Sequence, residues 1–259
     1  MELINLSLYP LKFKPVYKEK IWGGTRINEV FGRNLPSDKI GESWEVAAHP
    51  NGTSIVDNGK YKGETLISLM SSFSSDILGK NVPCKNKFPL LIKILDANDK
   101  LSVQVHPDDK YAQKEGKSGK TEMWYIINAE PEAKLIYGLK KGITKNEFAE
   151  AIDNGKLANQ LNEVEVQAGD IIYMPSGTVH AIKEGVLLAE IQQNSDTTYR
   201  VYDWDRPGQN GKPRPLHIDK ALNVINFNKD KITAKNTPLT IKTENYNRNI
   251  LALSPHFIV

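Results

Sequence analysis

Between Thr121 and Asp205 the chain lays down short β-rich segments in close succession: TEMWYIIN, AKLIYGL, VEVQAGDIIYMP, TVHAI, VLLAEIQQ and TTYRVYDWD. Each is bounded by turn-forming residues. A strand this short buries its apolar face only by joining a sheet, and many of them at this spacing specify a sandwich or a small barrel. A helical stretch, TKNEFAEAIDNGKLANQLN over 144–162, interrupts the series. Upstream, GETLISLMSSFSSDILG (63–79) carries Leu66, Leu69, Met70, Phe73 and Ile77 at helical spacing. PLLIKIL (89–95) and KLSVQVH (100–106) read as a strand pair joined by DAND, with a short helix after Pro107. ESWEVAAHPNGTSIV (42–56) reads as strand around an Asn-Gly turn, and IDKALNVINF after His217 as a helix. The fold expected is mainly β.

Charge narrows the partners. Thirty-four basic and 31 acidic residues leave a net charge of +3 with no Lys/Arg block, which argues against nucleic acid. A small anion needs only a local basic cluster. No window approaches the roughly 18 apolar residues of a membrane span, and the first residues, broken by Pro10, Pro15 and several lysines, form no signal core. The single cysteine, Cys84, excludes an internal disulfide and sits in a loop-like NVPCKNKFP stretch. A reducing, cytoplasmic setting is expected.

Two runs carry chemistry. In SVQVHPDD (102–109) the pleat puts Ser102, Gln104 and His106 on one face and Leu101, Val103 and Val105 on the other. In GDIIYMPSGTVHAI (169–182) the pattern Gly169-x5-Pro175-x-Gly177-x2-His180 turns a strand back and places an imidazole early in the next. This is similar to the second motif of the cupin barrels, except that Glu184 stands where Asn is usual. Glu122 follows His106 by sixteen residues. Gln104, His106, Glu122 and His180 offer nitrogen and oxygen donors without a thiolate, a set that suits zinc or another borderline divalent ion and leaves a position open.

Taken together, LSVQVHPDD, GKTEMWYI, GDIIYMPSGTVHAI and EIQQNSDTTYRVYDWDR, with IWGG and ESWEVAAHPNG nearer the start, resemble type I mannose-6-phosphate isomerase (phosphomannose isomerase) of the shorter bacterial kind. The resemblance implies a cupin-type β-barrel, or jelly roll, with an interleaved helical part. It implies reversible conversion of mannose 6-phosphate to fructose 6-phosphate at one zinc ion per chain. Carried over by motif, the metal ligands are Gln104, His106, Glu122 and His180, short members using only the last three. The catalytic arginine falls on Arg200, with Asp196 four residues before it; Lys120 shares a strand face with Glu122, and Ser102 with Gln104 and His106. Lys120 and Arg200 also offer a pair of cations for a phosphate. Residues 1–236 form the expected catalytic region and 237–259 the beginning of a C-terminal β-domain that family members continue with further strands.

Plainer readings stand beside these. His106 reads equally as a strand-end histidine, His180 as a core or turn histidine, Gln104 as an amide behind the ligands and Lys120 as a solvated lysine of GKSGKTE. Arg200 has Asp203 and Asp205 as alternative partners. TTYRVYDWD places Thr198, Arg200 and Tyr202 on one face if the alternation is regular. Trp22, Trp44, Trp124 and Trp204 read as core or rim packing, His49 and His217 as structural, and His256 has no role. The competing functions are a catalytically silent sugar-phosphate-binding or regulatory cupin and a metal-dependent cupin oxygenase. An anion-binding pair argues against the oxygenase.

Overall fold

The computed structural model describes residues 8–79, 82, 87–208, 210–228 and 234–259; Cys84 lies outside them. The main strands are β1 (Val16–Gly24), β2 (Ile40–Val46), β3 (Leu90–Ala97), β4 (Val103–Val105), β5 (Glu122–Ala129), β6 (Lys134–Leu139), β7 (Leu161–Glu165), β8 (Ile171–Met174), β9 (His180–Ile182), β10 (Val186–Gln193) and β11 (Tyr199–Tyr202). They form a six-stranded sheet, β8-β5-β10-β3-β2-β1, and a five-stranded sheet, β7-β6-β9-β4-β11, antiparallel throughout. The chain is mainly β, as expected. Among the described residues no ladder joins the two sheets, which face each other as the two layers of a jelly roll without closing by hydrogen bonds.

The sheets face each other across a common core. Leu95, Trp124, Ile126, Ile172 and Leu188 from one meet Leu135, Tyr137 and Ile182 from the other. Apolar surface left on the outer faces is covered by helices, because a sheet buried on one side only would expose its second face. The helices are α1 (Arg26–Phe31), α2 (Leu66–Leu78), α3 (Asp109–Gln113), α4 (Lys145–Asp153) and α5 (Ile218–Val224). Phe148 of α4 and Ala221 of α5 pack on Val103, Val105, Ile136 and Val201 outside the five-stranded sheet. Ile27 of α1 covers Ile40, Ile94 and Leu187 outside the six-stranded one.

Four local expectations change. The segments 89–95 and 100–106 are not partners: β3 pairs with β2 and β10, whereas β4 pairs with β9 and β11 in the opposite sheet. The link crosses between layers because its amides find partners there: Asn98 and Asp99 donate to the Trp22 carbonyl, and Leu101 to that of Ile182. Leu101 therefore packs in the inter-sheet core, away from Val103 and Val105. The helix at 144–162 stops at Asp153, since Gly155 takes a left-handed φ of 64°, and Leu161 already belongs to β7. A bulge between Arg200 and Tyr202 pairs Tyr202 with Val103, turning its ring to the outer core and off the Arg200 face.

The IWGG motif has a steric cause. A Cβ on Gly23 would lie 2.4 Å from the Gly41 amide and the Lys39 carbonyl, so only glycine lets β1 and β2 approach here. Beyond α5, a hairpin of β12 (Leu239–Lys242) and β13 (Asn247–Ile250) stands exposed. Ala252 and Phe257 then pack against Met123 and Ile171 on the outside of the six-stranded sheet.

Candidate metal centre and active-site cavity

His106 follows directly on β4. Its carbonyl accepts from the Gly177 amide at 2.8 Å, so the Pro-Ser-Gly turn clamps the end of the strand. Gly177 is required there: its φ is 80°, and a Cβ would come within 2.9 Å of the Val224 carbonyl. That turn also delivers His180 to the first position of β9, where it lies directly opposite Gln104. Glu122 opens β5 in the facing sheet. The loop between them folds back on itself, Lys120 N–H donating to the Pro107 carbonyl at 3.0 Å. Lys120 therefore returns to the neighbourhood of His106.

The geometry that results is compact. One ligand atom from each of His106, Glu122 and His180 lies within 4.8 Å of the others, and all three side chains are buried. His106 Nδ1 meets the Thr197 carbonyl at 2.8 Å and His180 Nδ1 meets that of Thr178 at 2.9 Å. A carbonyl only accepts, so each Nδ1 carries the proton and each Nε2 turns a lone pair inward. Those Nε2 atoms lie 3.6 and 3.4 Å from the Glu122 carboxylate. Lys120 Nζ is 2.7 Å from Glu122 Oε2 and 3.0 Å from His106 Nε2.

Burial sets the charge states. It pushes Glu122 up to about 7 despite the pull of Lys120. It holds His180 down at about 4, and together with Lys120 and His180 it holds His106 well below the ordinary histidine value. Both imidazoles are neutral at neutral pH. Glu122 Oε2 meets only Lys120 and Oε1 accepts no hydrogen bond, although the residue is 0% exposed. A buried carboxylate with free lone pairs, facing two imidazole lone pairs, is the donor set a divalent cation satisfies. The site fits a metal on its own chemistry.

In front of this trio lies a cavity of about 480 Å³. Its wall on the five-stranded sheet carries Ser102, Gln104, His180, Thr198 and Arg200. Arg200 pairs with Gln104 across β11 and β4, and Gln104 with His180 across β4 and β9, so the three stand in one row. The opposite wall is built on β1, β2, β3 and β10 from Lys18, Lys20, Glu42, Lys93 and Glu190.

Residues 10–154 match the model of the phosphomannose isomerase type I catalytic domain. The chain belongs to the type I phosphomannose isomerase family. Mannose-6-phosphate isomerase of Streptococcus mutans is 45% identical over 251 residues, spanning 96% of this chain and 77% of that protein. Mannose-6-phosphate isomerase ManA of Bacillus subtilis is 51% identical over 222 residues, 85% of this chain and 69% of the relative. A crystal structure of the mannose 6-phosphate isomerase from Bacillus subtilis superposes with a TM-score of 0.89 at 41% identity, covering 97% of this chain and 79% of the other.

Within this phosphomannose isomerase fold the residues singled out in the sequence converge. Ser102, Gln104, Lys120, His180, Asp196 and Arg200 all line the cavity, with His106 and Glu122 at its floor beside Lys120. Gln104 reaches within 3.5 Å of His180 Nε2 and accepts from Ser102 Oγ. Asp196 sits at the rim, accepting from Asn51 at 2.7 Å. Lys120 is not a solvated turn lysine: it is 5% exposed. Arg200 does not take Asp203 or Asp205, since Arg206 and Arg214 occupy the first and Tyr202 the second. Its Nη1 donates to the Pro215 carbonyl, its Nε has no partner, and burial with nearby Arg214 lowers its pKa.

Sequence reasoning missed the opposite wall. Lys93 lies between Glu190 at 3.2 Å and Glu42 at 3.7 Å, and Lys20 is 3.0 Å from Glu42. Trp44 and Trp124 donate to Glu42 and Glu190. Three of the four tryptophans, Trp22, Trp44 and Trp124, thus line the cavity, while Trp204 donates to the Leu101 carbonyl outside it. Alternating Lys/Glu positions in β1 and β2 are the only signal that pointed there.

Proposed function

We propose that this chain interconverts mannose 6-phosphate and fructose 6-phosphate, with zinc held by His106, Glu122 and His180 and with Gln104 as a fourth, neutral donor. The observation that carries the reading is the buried His-Glu-His trio at the floor of a cation-rich cavity. Bound there, the ion supplies Lewis acidity to the C1 and C2 oxygens of the open-chain sugar. The chain's own groups do the rest. The C2 proton leaves to a base, and its electron pair forms the C1–C2 double bond of an enediolate as the C1 carbonyl pair moves onto O1. The hydroxyl proton passes from O2 to O1, and the abstracted proton returns at C1 as the C2 carbonyl forms. Lys120 and Glu122, in contact at 2.7 Å, are the groups within reach to carry that proton. Arg200, in the row with Gln104 and His180, faces the charge that grows on the enediolate.

The phosphate belongs at the mouth, between the edge strands β1 and β11. Lys18 is the cavity lysine there without a carboxylate within ion-pair distance among the described residues; its Nζ donates to the Asn51 carbonyl and lies over Trp44. Ser102 and Asp196 offer hydroxyl and carboxylate to the sugar. All these residues lie within 1–236, read here as the catalytic region, with 237–259 as the start of a second β region. A nearly neutral chain with a local cation cluster suits a small anionic substrate rather than nucleic acid. No helix among the described residues is long and apolar enough to cross a membrane, and a single cysteine fits the reducing cytoplasm.

The test is a coupled assay for fructose 6-phosphate on the purified chain, before and after chelation and with zinc restored. Turnover lost on chelation and regained with zinc is expected. Tight binding of the sugar phosphate without turnover in the zinc-loaded protein would overturn the isomerase reading.

A further inference from the structure

Arg200 sits at an irregular place in its strand. β11 is the edge strand of its sheet, so alternate residues turn their main-chain groups away from β4, and the ladder slips between Arg200 and Tyr202. At Arg200 both groups are taken up from outside the sheet by one residue. The Arg200 N–H donates to His217 Nδ1 at 3.2 Å. The His217 N–H donates back to the Arg200 carbonyl at 2.7 Å. Two residues earlier the Pro215 carbonyl accepts from Arg200 Nη1 at 2.9 Å.

The anchor behind this clamp is firm. His217 is the residue that starts α5, and its carbonyl accepts from the Ala221 amide. Ala221 is fully buried in the outer core against the five-stranded sheet. The imidazole stands 6.3 Å from the Tyr199 ring. An acceptor at Nδ1 requires a neutral ring with its proton on Nε2. Burial, then the charges of Arg200, Lys220 and Lys117, favour the neutral ring.

We propose that His217 is a positioning residue for Arg200: by accepting at Nδ1 and donating from its own amide, it fixes the bulged strand so that the guanidinium stays on the cavity wall. The inference rests on the catalytic reading of Arg200. Small misplacement of such a group costs up to about 10²-fold in rate, whereas a helix-start residue with only a structural role would lower the amount of folded protein and leave kcat per active site unchanged.

The experiment compares His217→Ala, His217→Asn and His217→Gln, alone and combined with Arg200→Ala, by steady-state kinetics on mannose 6-phosphate with bound zinc measured in each sample. Asn places its Oδ1 where Nδ1 stood; Gln moves the acceptor one bond outward. His217→Ala should lose about ten- to a hundred-fold in kcat at nearly unchanged KM and full zinc. His217→Asn should recover most of it and His217→Gln little. In the Arg200→Ala background His217→Ala should cost nothing further, because the two residues act as one unit. If the alanine variant does not fold, the Asn and Gln variants carry the comparison. A kcat loss in Arg200→Ala without one in the His217 variants would overturn the proposal, as would an equal His217 loss with Arg200 already removed. Wild-type kcat in Arg200→Ala would overturn the reading of Arg200, and the proposal with it.

Discussion

Lys93→Met is the most quantitative probe of the cavity. Methionine keeps much of the stem and removes the ammonium, leaving Glu42 and Glu190 buried at 8% and 4% exposure with their shared partner gone. Burial by itself would raise Glu42, but Lys93 first and Lys20 second outweigh it and hold it at about 2 instead of 4.5. That difference corresponds to about 3 kcal/mol of stability at neutral pH. Breaking one side of a buried ion pair costs about 3–5 kcal/mol in general, and that range sets the expected deficit. The sign follows from the lowered value. Glu42 contributes fully above 4.5, and the contribution is lost as pH falls toward 2. In Lys93→Met burial is opposed mainly by Lys20 at Glu42 and by Lys120 at Glu190, so both folded carboxylates titrate higher than in the wild type and the variant suffers most where they are ionised. Urea unfolding at pH 7 and pH 4, both in chelator so that metal release adds no pH dependence of its own, measures this. The deficit should be about 3–5 kcal/mol at pH 7 and smaller by at least about 1 kcal/mol at pH 4. A deficit below about 1 kcal/mol at pH 7, or one equal at both pH values, would refute the reasoning.

Further outcomes test the centre and the mouth. His180→Ala should fold, by circular dichroism, but lose most of its bound zinc and its turnover; full zinc in that variant by elemental analysis would remove His180 from the ligand set. Arg200→Ala should lose roughly 10²–10³ in kcat with KM little changed, and Arg200→Lys, which lacks the planar fork, should regain only part; a raised KM alone would move Arg200 to phosphate binding. Lys18→Ala should raise KM for mannose 6-phosphate severalfold and leave the poor turnover of unphosphorylated mannose unchanged; equal effects on both sugars would show that Lys18 does not meet the phosphate.

Much of the metal floor was readable because it depends on local rules. Strand alternation puts Gln104 and His106 on one face, and the turn ending at Gly177 fixes His180 whatever the rest of the chain does. Long-range events were not readable. Nothing local says that β3 and β4, five residues apart, enter opposite sheets; that is decided by Trp22 and Ile182 accepting the amides of the link. The bulge that turns Tyr202 away from Arg200 exists only against the register of β4. The wall of Lys20, Glu42, Lys93 and Glu190 comes from four strands that become neighbours only when the six-stranded sheet assembles. Each of those residues alone looks like an ordinary charged position in a strand.

The ligand trio draws on both layers of the sandwich: His106 and His180 stand on the five-stranded sheet and Glu122 on the six-stranded one. The layers are also held together by packing, by the links that cross between them and by the Tyr137 hydroxyl donating to the Tyr173 carbonyl. An ion shared by the three side chains is therefore a cross-link, closing a loop of about seventy residues between the two imidazoles. In chain-entropy terms a covalent tie over such a loop is worth about 4 kcal/mol. A protein with one cysteine cannot obtain that from a disulfide. The ion proposed to activate the sugar would then act as a clasp on the fold as well, so that starving the protein of metal would loosen the two sheets from each other besides silencing the site.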